Sequence, residues 1–594
     1  MTTSEKIAAL RKLMAARQVA ALIVPSCDPH QSETVSLRWR ARQWISGFTG
    51  SAGSLVITTG QAVLWVDGRY FIQAEQELRG SGIHLLKGRE PGVPTVNEWI
   101  LAHLKKGQTV ACDGTLFSVE AAREMEKTFS SKQLKLRMHD DLVSRIWKDR
   151  PGFPAGSALD YPLAYAGVNR RNKLKAIRDH LAAKNSDYLF LASLDDIAWL
   201  FNIRGSDVAN CPVVLAYALV GQKSACLFSD ETKFSESLKK KLAGEGVSLY
   251  PYDAVTGHLK TLPSSKSLSY NPLRISHWLA HALPASLKKI EETPDITTTM
   301  KAVKNPVEQK YFHKAALIDG LALVRFMAWL ERAIQAGAPV TEYSAGEKLA
   351  VLRGEASECR GDSFPAICGY QSNGAIVHYR ADSRHSSKLK RKGLLLVDSG
   401  GQYFGGTMDT TRTVALGPVP RQACLNYTRV LKGFIALSRV RFPAGTTGTH
   451  LDTLARLPLW AEGLNYRHGS GHGVGSYLNV HEGPHGFSQA WNPAALKPGM
   501  VTTIEPGYYE PGQYGIRIEN MVLVQPYQTT GCGEFLKFEP LTLCPVDTTP
   551  IVRSLLTREE RDWLNGYHRR VWNQLSSRLD PSDREWLKRK TAPI

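Results

Sequence analysis

The chain has no apolar run approaching the roughly 18 residues a membrane-spanning helix needs, so no span and no membrane role are expected. Its nine cysteines are scattered, odd in number and free of any C-x-x-C pair, which excludes a disulfide framework. Acidic residues are the minority sign: 55 Asp and Glu stand against 74 Lys and Arg, a net charge of +19. A basic balance of that size raises nucleic acid as a partner. The basic residues are dispersed, however, apart from short clusters such as Lys388-Leu-Lys-Arg-Lys392 and Lys239-Lys-Lys241, and no helix-turn-helix, RNA-recognition or zinc-finger pattern accompanies them. The charge is therefore read as a solvated surface, with no nucleic-acid partner. No serine stands in a G-x-S-x-G elbow and nothing marks one cysteine as a nucleophile.

What is present is ordinary for a globular protein: 43% apolar and 22% charged residues. At 594 residues the chain exceeds one core, and two to four domains are expected. The first fourteen residues carry charges throughout, so they read as an amphipathic helix rather than a secretory signal. Together with the unpaired cysteines, this makes the cytoplasm the expected address. Residues 1–150 alternate strand-like and helix-like patterns: strands at Ala20–Pro25, Ser54–Thr59 and Ala62–Val66, helices at Glu5–Arg17 and Tyr70–Leu78. The proline- and glycine-rich Pro151-Gly-Phe-Pro-Ala-Gly156 reads as a linker. A second α/β unit, 151–299, repeats the plan of helix, buried strand and Trp-bearing segment, which points to a duplication although the sequences do not visibly repeat. Residues 300–594 open on Met300-Lys-Ala-Val-Lys-Asn-Pro-Val-Glu-Gln-Lys310 and a long helix through Ala315–Ile334. They end in amphipathic helices opening at a Thr557 cap with Glu560 three residues on.

Five residues of this last part carry chemistry: Asp398, Asp409, His472, Glu505 and Glu519. Asp398 ends an apolar run and Asp409 begins the next, with the glycine-rich turn Gly400–Gly406 between them. This predicts a β-hairpin that brings the two carboxylates together. His472 lies in Gly469-Ser-Gly-His-Gly-Val-Gly475, too glycine-rich for an ordinary strand or helix interior. Glu505 ends the strand-like Val501–Ile504. Glu519 falls in Tyr514–Val524, read as one strand in which Arg517 and Glu519 share a face. Any one of these carboxylates alone would pass for a surface group. Together, four carboxylates and an imidazole suit two hard or borderline divalent cations.

At Val397-Asp-Ser-Gly400, Asp409-Thr-Thr-Arg-Thr413, His468–Gly475, Glu505-Pro-Gly-Tyr-Tyr509 and Ile516-Arg-Ile-Glu-Asn520 the chain resembles the pita-bread metallopeptidases, most closely the long, three-domain Xaa-Pro aminopeptidases. Trp44–Gly53, Leu64–Phe71 and Tyr188–Ser206 are similar to the N-terminal portions of the same family, so the likeness covers nearly the whole chain. It implies two creatinase-like α/β domains followed by a pita-bread α+β catalytic domain. It also implies two divalent ions per chain, manganese by oxygen preference with cobalt or zinc possible. Asp398 and Asp409 would hold one ion and His472 and Glu505 the other, with Asp409 and Glu519 bridging and Glu505 as proton shuttle. His378, His468 and His481 would bind substrate, His378 and His481 stabilising the transition state. Arg517 would orient Glu519, contact substrate or form a structural ion pair. Ser470 stands where the family more often has threonine. The substrate implied is a peptide with proline in second position. A homodimer is implied as well, with Trp460 at the contact and Arg69 reaching peptide across it.

Two other readings fail on local structure. His481-Glu-Gly-Pro-His485 has the letters of H-E-x-x-H, a motif that binds zinc only on a helix, and Gly483 and Pro484 oppose a helix. The run Gly469–Gly475 lacks the spacing of a dinucleotide fingerprint and no Lys-Ser/Thr follows it. Among relatives of the fold, the rivals are a prolidase restricted to Xaa-Pro dipeptides and a non-catalytic peptide-binding module. The two N-terminal units argue against the first and the complete ligand set against the second.

Overall fold

The computed structural model describes residues 1–594 as two compact units, Met1–Leu163 with Val168–Thr298, and Ala164–Gly167 with Thr299–Ile594. The first unit contains two six-stranded sheets of one topology. In the first, the buried strand Ala21–Pro25 pairs antiparallel with Ser54–Thr58, which pairs antiparallel with Ala62–Val66, and that strand pairs parallel with His84–Lys87. On its other side lie Thr109–Ala111 and Lys135–Arg137, both parallel. The second sheet repeats each relation, with Tyr188–Leu191 in the central place, Ala216–Gly221, Ala225–Ser229 and Ser248–Tyr250 on one side, and Ser267–Tyr270 and Lys288–Glu291 on the other. The plan shared by the two halves is thus repeated in strand order and direction.

The seam near residue 150 is internal to this unit. Buried His30 bonds through Nδ1 to Ala192 O at 2.9 Å and through Nε2 to Tyr252 Oη at 2.8 Å, and Arg123 grips Glu291 with two bonds of 2.9 and 2.5 Å. Burial holds the His30 imidazole below its usual pKa, so the seam combines a buried hydrogen-bonded contact at His30 with the Arg123–Glu291 ion pair. Arg69 donates to Asp67 from both Nε (2.9 Å) and Nη2 (2.8 Å), an ion pair within its own turn.

The second unit opens on a 30-residue helix, Pro306–Gln335. Asn305 caps it, Glu308 reaches back to close the capping box, and Pro306 occupies the first turn, where its missing N–H costs nothing. The Thr557–Glu560 capping box opens Arg558–Leu575 as the spacing predicts. A six-stranded sheet runs in the order Arg441–Pro443, Gly533–Pro540, Asn520–Thr530, Val501–Ile504, Gly471–Gly473, Glu482–Phe487. A three-stranded sheet holds Ile367–Tyr370, Leu394–Ser399 and Thr410–Ala415.

Three local expectations are corrected. The segment Tyr514–Val524 is two strands: Tyr514–Arg517 pairs with Gly507–Glu510, and Asn520–Thr530 pairs with Val501–Ile504. The chain changes partner at Ile518–Glu519, where Ile518 N bonds to Pro506 O and Glu519 N to Thr411 O. The turn between Asp398 and Asp409 holds a further small hairpin, Gly401–Tyr403 with Gly406–Thr407. Within the glycine-rich run, Gly471–Gly473 is a short strand. A Cβ on Gly471 would lie 2.1 Å from Thr503 O and one on Gly473 2.1 Å from Glu482 O, so absent side chains let neighbouring backbones close in on both sides of His472.

Candidate metal centre

Asp398 and Thr411 face each other across the pairing of Leu394–Ser399 with Thr410–Ala415, and Asp409 precedes the second strand by one residue. Glu519 is brought to them by its own backbone bond to Thr411 O at 3.0 Å. Its side chain accepts from Thr411 Oγ1 at 2.7 Å. Arg412, fully buried, donates to Glu519 O at 2.5 Å, Asn520 Oδ1 at 2.7 Å and Tyr567 Oη at 2.9 Å. It thereby ties the ligand turn to the C-terminal helix. Glu505 N bonds to Ser470 O at 2.8 Å, which sets Glu505 beside the strand of His472.

Ligand atoms of Asp398, Asp409 and Glu519 lie within 4.8 Å of one another, as do those of His472, Glu505 and Glu519. His472 Nε2 is 3.3 Å from Asp409 Oδ2 and 3.5 Å from Glu505 Oε1. Its Nδ1 donates to Gly473 O at 2.9 Å, a bond that fixes the ring and turns Nε2, the nitrogen free to bind a metal, toward the carboxylates. All five expected ligands therefore converge.

Two like charges about 4 Å apart repel by about 4 kcal/mol at an effective dielectric of about 20, and burial adds a desolvation cost. The titration behaviour reflects both. Burial, then the charge of Asp409, pushes Asp398 and Glu519 above the ordinary carboxylate range, against the pull of Arg517 on Asp398. Burial raises Glu505 to about 7, with Asp409 and Asp398 adding to it and His472 opposing. At His472 burial alone would lower the pKa, but the hydrogen bond to Asp409 and the charges of Glu505 and Asp409 raise it to about 9. Asp398 Oδ1 and Glu519 Oε1 are buried and accept no hydrogen bond, which leaves acceptor capacity turned into the cluster. An oxygen-rich set with orphaned, mutually repelling oxygens fits two divalent cations.

The remaining residues are placed as follows. Arg517 is 2% exposed and pairs with Asp398 Oδ2 at 2.5 Å rather than with Glu519, because the strand break between them removes the shared face. Its Nη1 donates to Tyr509 Oη at 2.5 Å. His468 Nε2 is 2.8 Å from the same Tyr509 oxygen and Nδ1 is 2.6 Å from Gly469 O, so His468 joins the centre through Tyr509. The His481 ring stands edge-on to His472 with centroids 4.2 Å apart, and its nitrogen falls within 4.8 Å of ligand atoms of Asp409 and His472. Glu482 and His485 lie on the strand Glu482–Phe487, so the H-E-x-x-H letters do not occupy a helix. Glu482 instead forms a buried ion pair with Lys304. Ser470 donates to Asp452 Oδ1 at 2.6 Å, a bond threonine could also make. Thr411, Arg412 and Tyr509 stand inside the quoted motifs, but only their contacts show their work.

A pita-bread domain enclosing a carboxylate-rich centre that fits two divalent cations has the site of a metallohydrolase. Comparison with known proteins agrees. Residues 310–526 match metallopeptidase family M24, 534–594 match the C-terminal region of that family, and 6–146 and 149–308 each match a creatinase/prolidase N-terminal domain. A probable Xaa-Pro aminopeptidase P of Coprinopsis cinerea is 40% identical over 100% of this chain and 98% of its own. Aminopeptidase P1 of Lotus japonicus is 37% identical over 99% of each. The crystal structure of an X-prolyl aminopeptidase from Caenorhabditis elegans, described as a cytosolic enzyme with a di-nuclear active site, superimposes with a TM-score of 0.96 at 33% identity over 100% of both chains. The chain belongs to metallopeptidase family M24, in its Xaa-Pro aminopeptidase P group.

Proposed function

We propose that the protein is a metal-dependent aminopeptidase that releases the N-terminal residue from peptides with proline in second position. What carries the reading is that all five ligand side chains converge on one centre in a chain that matches aminopeptidases P from end to end. Asp398 and Asp409 would hold one cation, His472 and Glu505 the other, and Asp409 and Glu519 would bridge. Manganese suits so oxygen-rich a set, with cobalt or zinc as alternatives. Two such ions would supply Lewis-acid activation of water and of the scissile carbonyl.

The chain's own residues do the rest. Glu505 accepts a proton from the attacking water and passes it to the departing prolyl nitrogen. His378 and His481 donate hydrogen bonds to the carbonyl oxygen as negative charge develops on it. Arg517 holds Asp398 and Tyr509 in place, and His468 contacts the proline side of the substrate. A Xaa-Pro amide is tertiary and offers no N–H, so recognition here must rest on ring shape. The deciding experiment offers the metal-reconstituted protein a Xaa-Pro-Xaa tripeptide and a Xaa-Pro dipeptide. Cleavage of the tripeptide is expected; hydrolysis of the dipeptide alone would make the protein a prolidase.

A homodimer completes the proposal. Trp460 is 37% and Leu457 56% exposed on the helix Gly448–Trp460, and large aromatic anchors of this kind suit an interface centre. Arg69, preset by Asp67, would contact peptide in the neighbouring protomer. Trp460→Glu should sediment as a monomer with weakened activity. A wild-type protein that is monomeric and fully active would overturn the dimer and leave the catalytic assignment standing. The nine unpaired cysteines suit a cytoplasmic address, and no helix is long and apolar enough to cross a membrane.

A further inference from the structure

Glu342 opens the helix Glu342–Gly354 directly after its Thr341 cap and has no exposed surface. Its carboxylate does not cap that helix; it gathers another segment. Oε1 accepts from Tyr370 N at 2.7 Å and Asn373 Nδ2 at 2.9 Å. Oε2 accepts from Ser387 N at 2.7 Å, Tyr379 Oη at 2.8 Å and Asn373 Nδ2 at 3.1 Å. Glu342 N returns a bond to Ser387 O at 3.0 Å. One buried carboxylate thus clasps both ends of the stretch 370–387, and the middle of that stretch carries His378.

The other flank of His378 is tied to the metal centre. Val377 O accepts from Arg517 Nη2 at 3.4 Å, the nitrogen that also holds Asp398. The backbones of Gly374 and Gly515 meet so closely that a Cβ on Gly515 would lie 1.7 Å from Gly374 O. His378 therefore sits between two anchors: the residue before it on Arg517, the residue after it on Glu342. A carboxylate suits the second anchor because every group aimed at it is a donor. An amide there would turn its own NH2 toward the N–H and O–H groups it must accept from.

We propose that Glu342, acting through Tyr379, is a positioning residue that sets the His378 imidazole for the reacting carbonyl, an inference that rests on the role given to His378 above. The test measures kcat, KM and bound metal for Glu342→Gln and Tyr379→Phe on a Xaa-Pro-Xaa tripeptide, each alone and combined with His378→Ala. Misplacement by about 1 Å can cost about 10²-fold, so each single variant is expected to lose about 10-fold in kcat, with KM within about 2-fold and full metal content. Added to His378→Ala, neither should lower kcat further. Tyr379→Phe leaves Glu342 its bonds from Tyr370, Asn373 and Ser387, so it remains readable if Glu342→Gln fails to fold. Unchanged kcat in Tyr379→Phe, loss of metal, or losses that multiply with that of His378→Ala would overturn the proposal. If His378→Ala is itself as active as wild type, the role of His378 fails and the positioning role falls with it. An impaired His378→Ala with multiplying losses removes the positioning role alone.

Discussion

Asp409→Ala should bind no more than one divalent cation per chain and lose more than about 10³-fold in kcat/KM, at about 1.4 kcal/mol per tenfold. Asp409 is 4% exposed, and its carboxylate groups with Asp398 and Glu519 on one side and with His472 and His481 on the other. The loss should not come from unfolding. The charge of Asp409 pushes up the pKa of Asp398, Glu505 and Glu519, so in the metal-free chain its removal relieves three repulsions against the one attraction, to His472, that is lost. Without metal, the variant should melt no earlier than metal-free wild type, and the N-terminal unit should be unaffected. Elemental analysis after saturation with manganese checks the first claim. Wild type holding one ion, or the variant holding two, would break the assignment.

The second large effect concerns the histidines. His378→Ala and His481→Ala should each lower kcat/KM by about 10²–10³-fold, the range for removing one donor to a developing oxyanion. His481 makes metal content the sharper readout. Its ring abuts His472 at 4.2 Å and its nitrogen lies near ligand atoms of Asp409 and His472. An alanine variant that keeps both ions and still loses activity supports a role on the transition state. A variant that loses an ion makes His481 a ligand instead. Near-normal turnover in both variants would return both residues to packing roles.

Arg517 and the five candidate ligands differ in how far a short stretch of sequence reveals them. Four of the five sit where the local pattern changes character: Asp398 at the end of an apolar run, Asp409 at the start of the next, Glu505 between a strand and Pro506-Gly507, His472 among glycines; Glu519 lies inside a run that reads as one strand. Such changes mark positions where a strand ends or a backbone must be approached closely, and they can be read one segment at a time. The partner of Arg517 could not be read in this way. A period of two assigns Arg517 and Glu519 to one face only while the strand is continuous, and here it breaks at Ile518–Glu519, where the chain exchanges one pairing partner for another. Pairing depends on which backbone lies alongside, which no local window contains.

Glu342 is a stronger instance. In the sequence it is a glutamate after a threonine, indistinguishable from an exposed first-turn residue favoured by the helix dipole. Its burial and its five accepted bonds come from residues 28 to 45 positions away.

The alternation of strands and helices, the shared plan of the two N-terminal halves, the long helix, the Thr557 cap and the five candidate ligand side chains were legible in short stretches of sequence, because they follow from propensity, periodicity and residue chemistry within short spans. Four other features come from the folded chain alone: the two N-terminal halves form one compact unit, Arg517 pairs with Asp398, His481 stands against His472, and Glu342 holds the segment that carries His378. Each of these depends on distances between residues far apart in the chain, set by sheet register and by glycine-permitted backbone contacts.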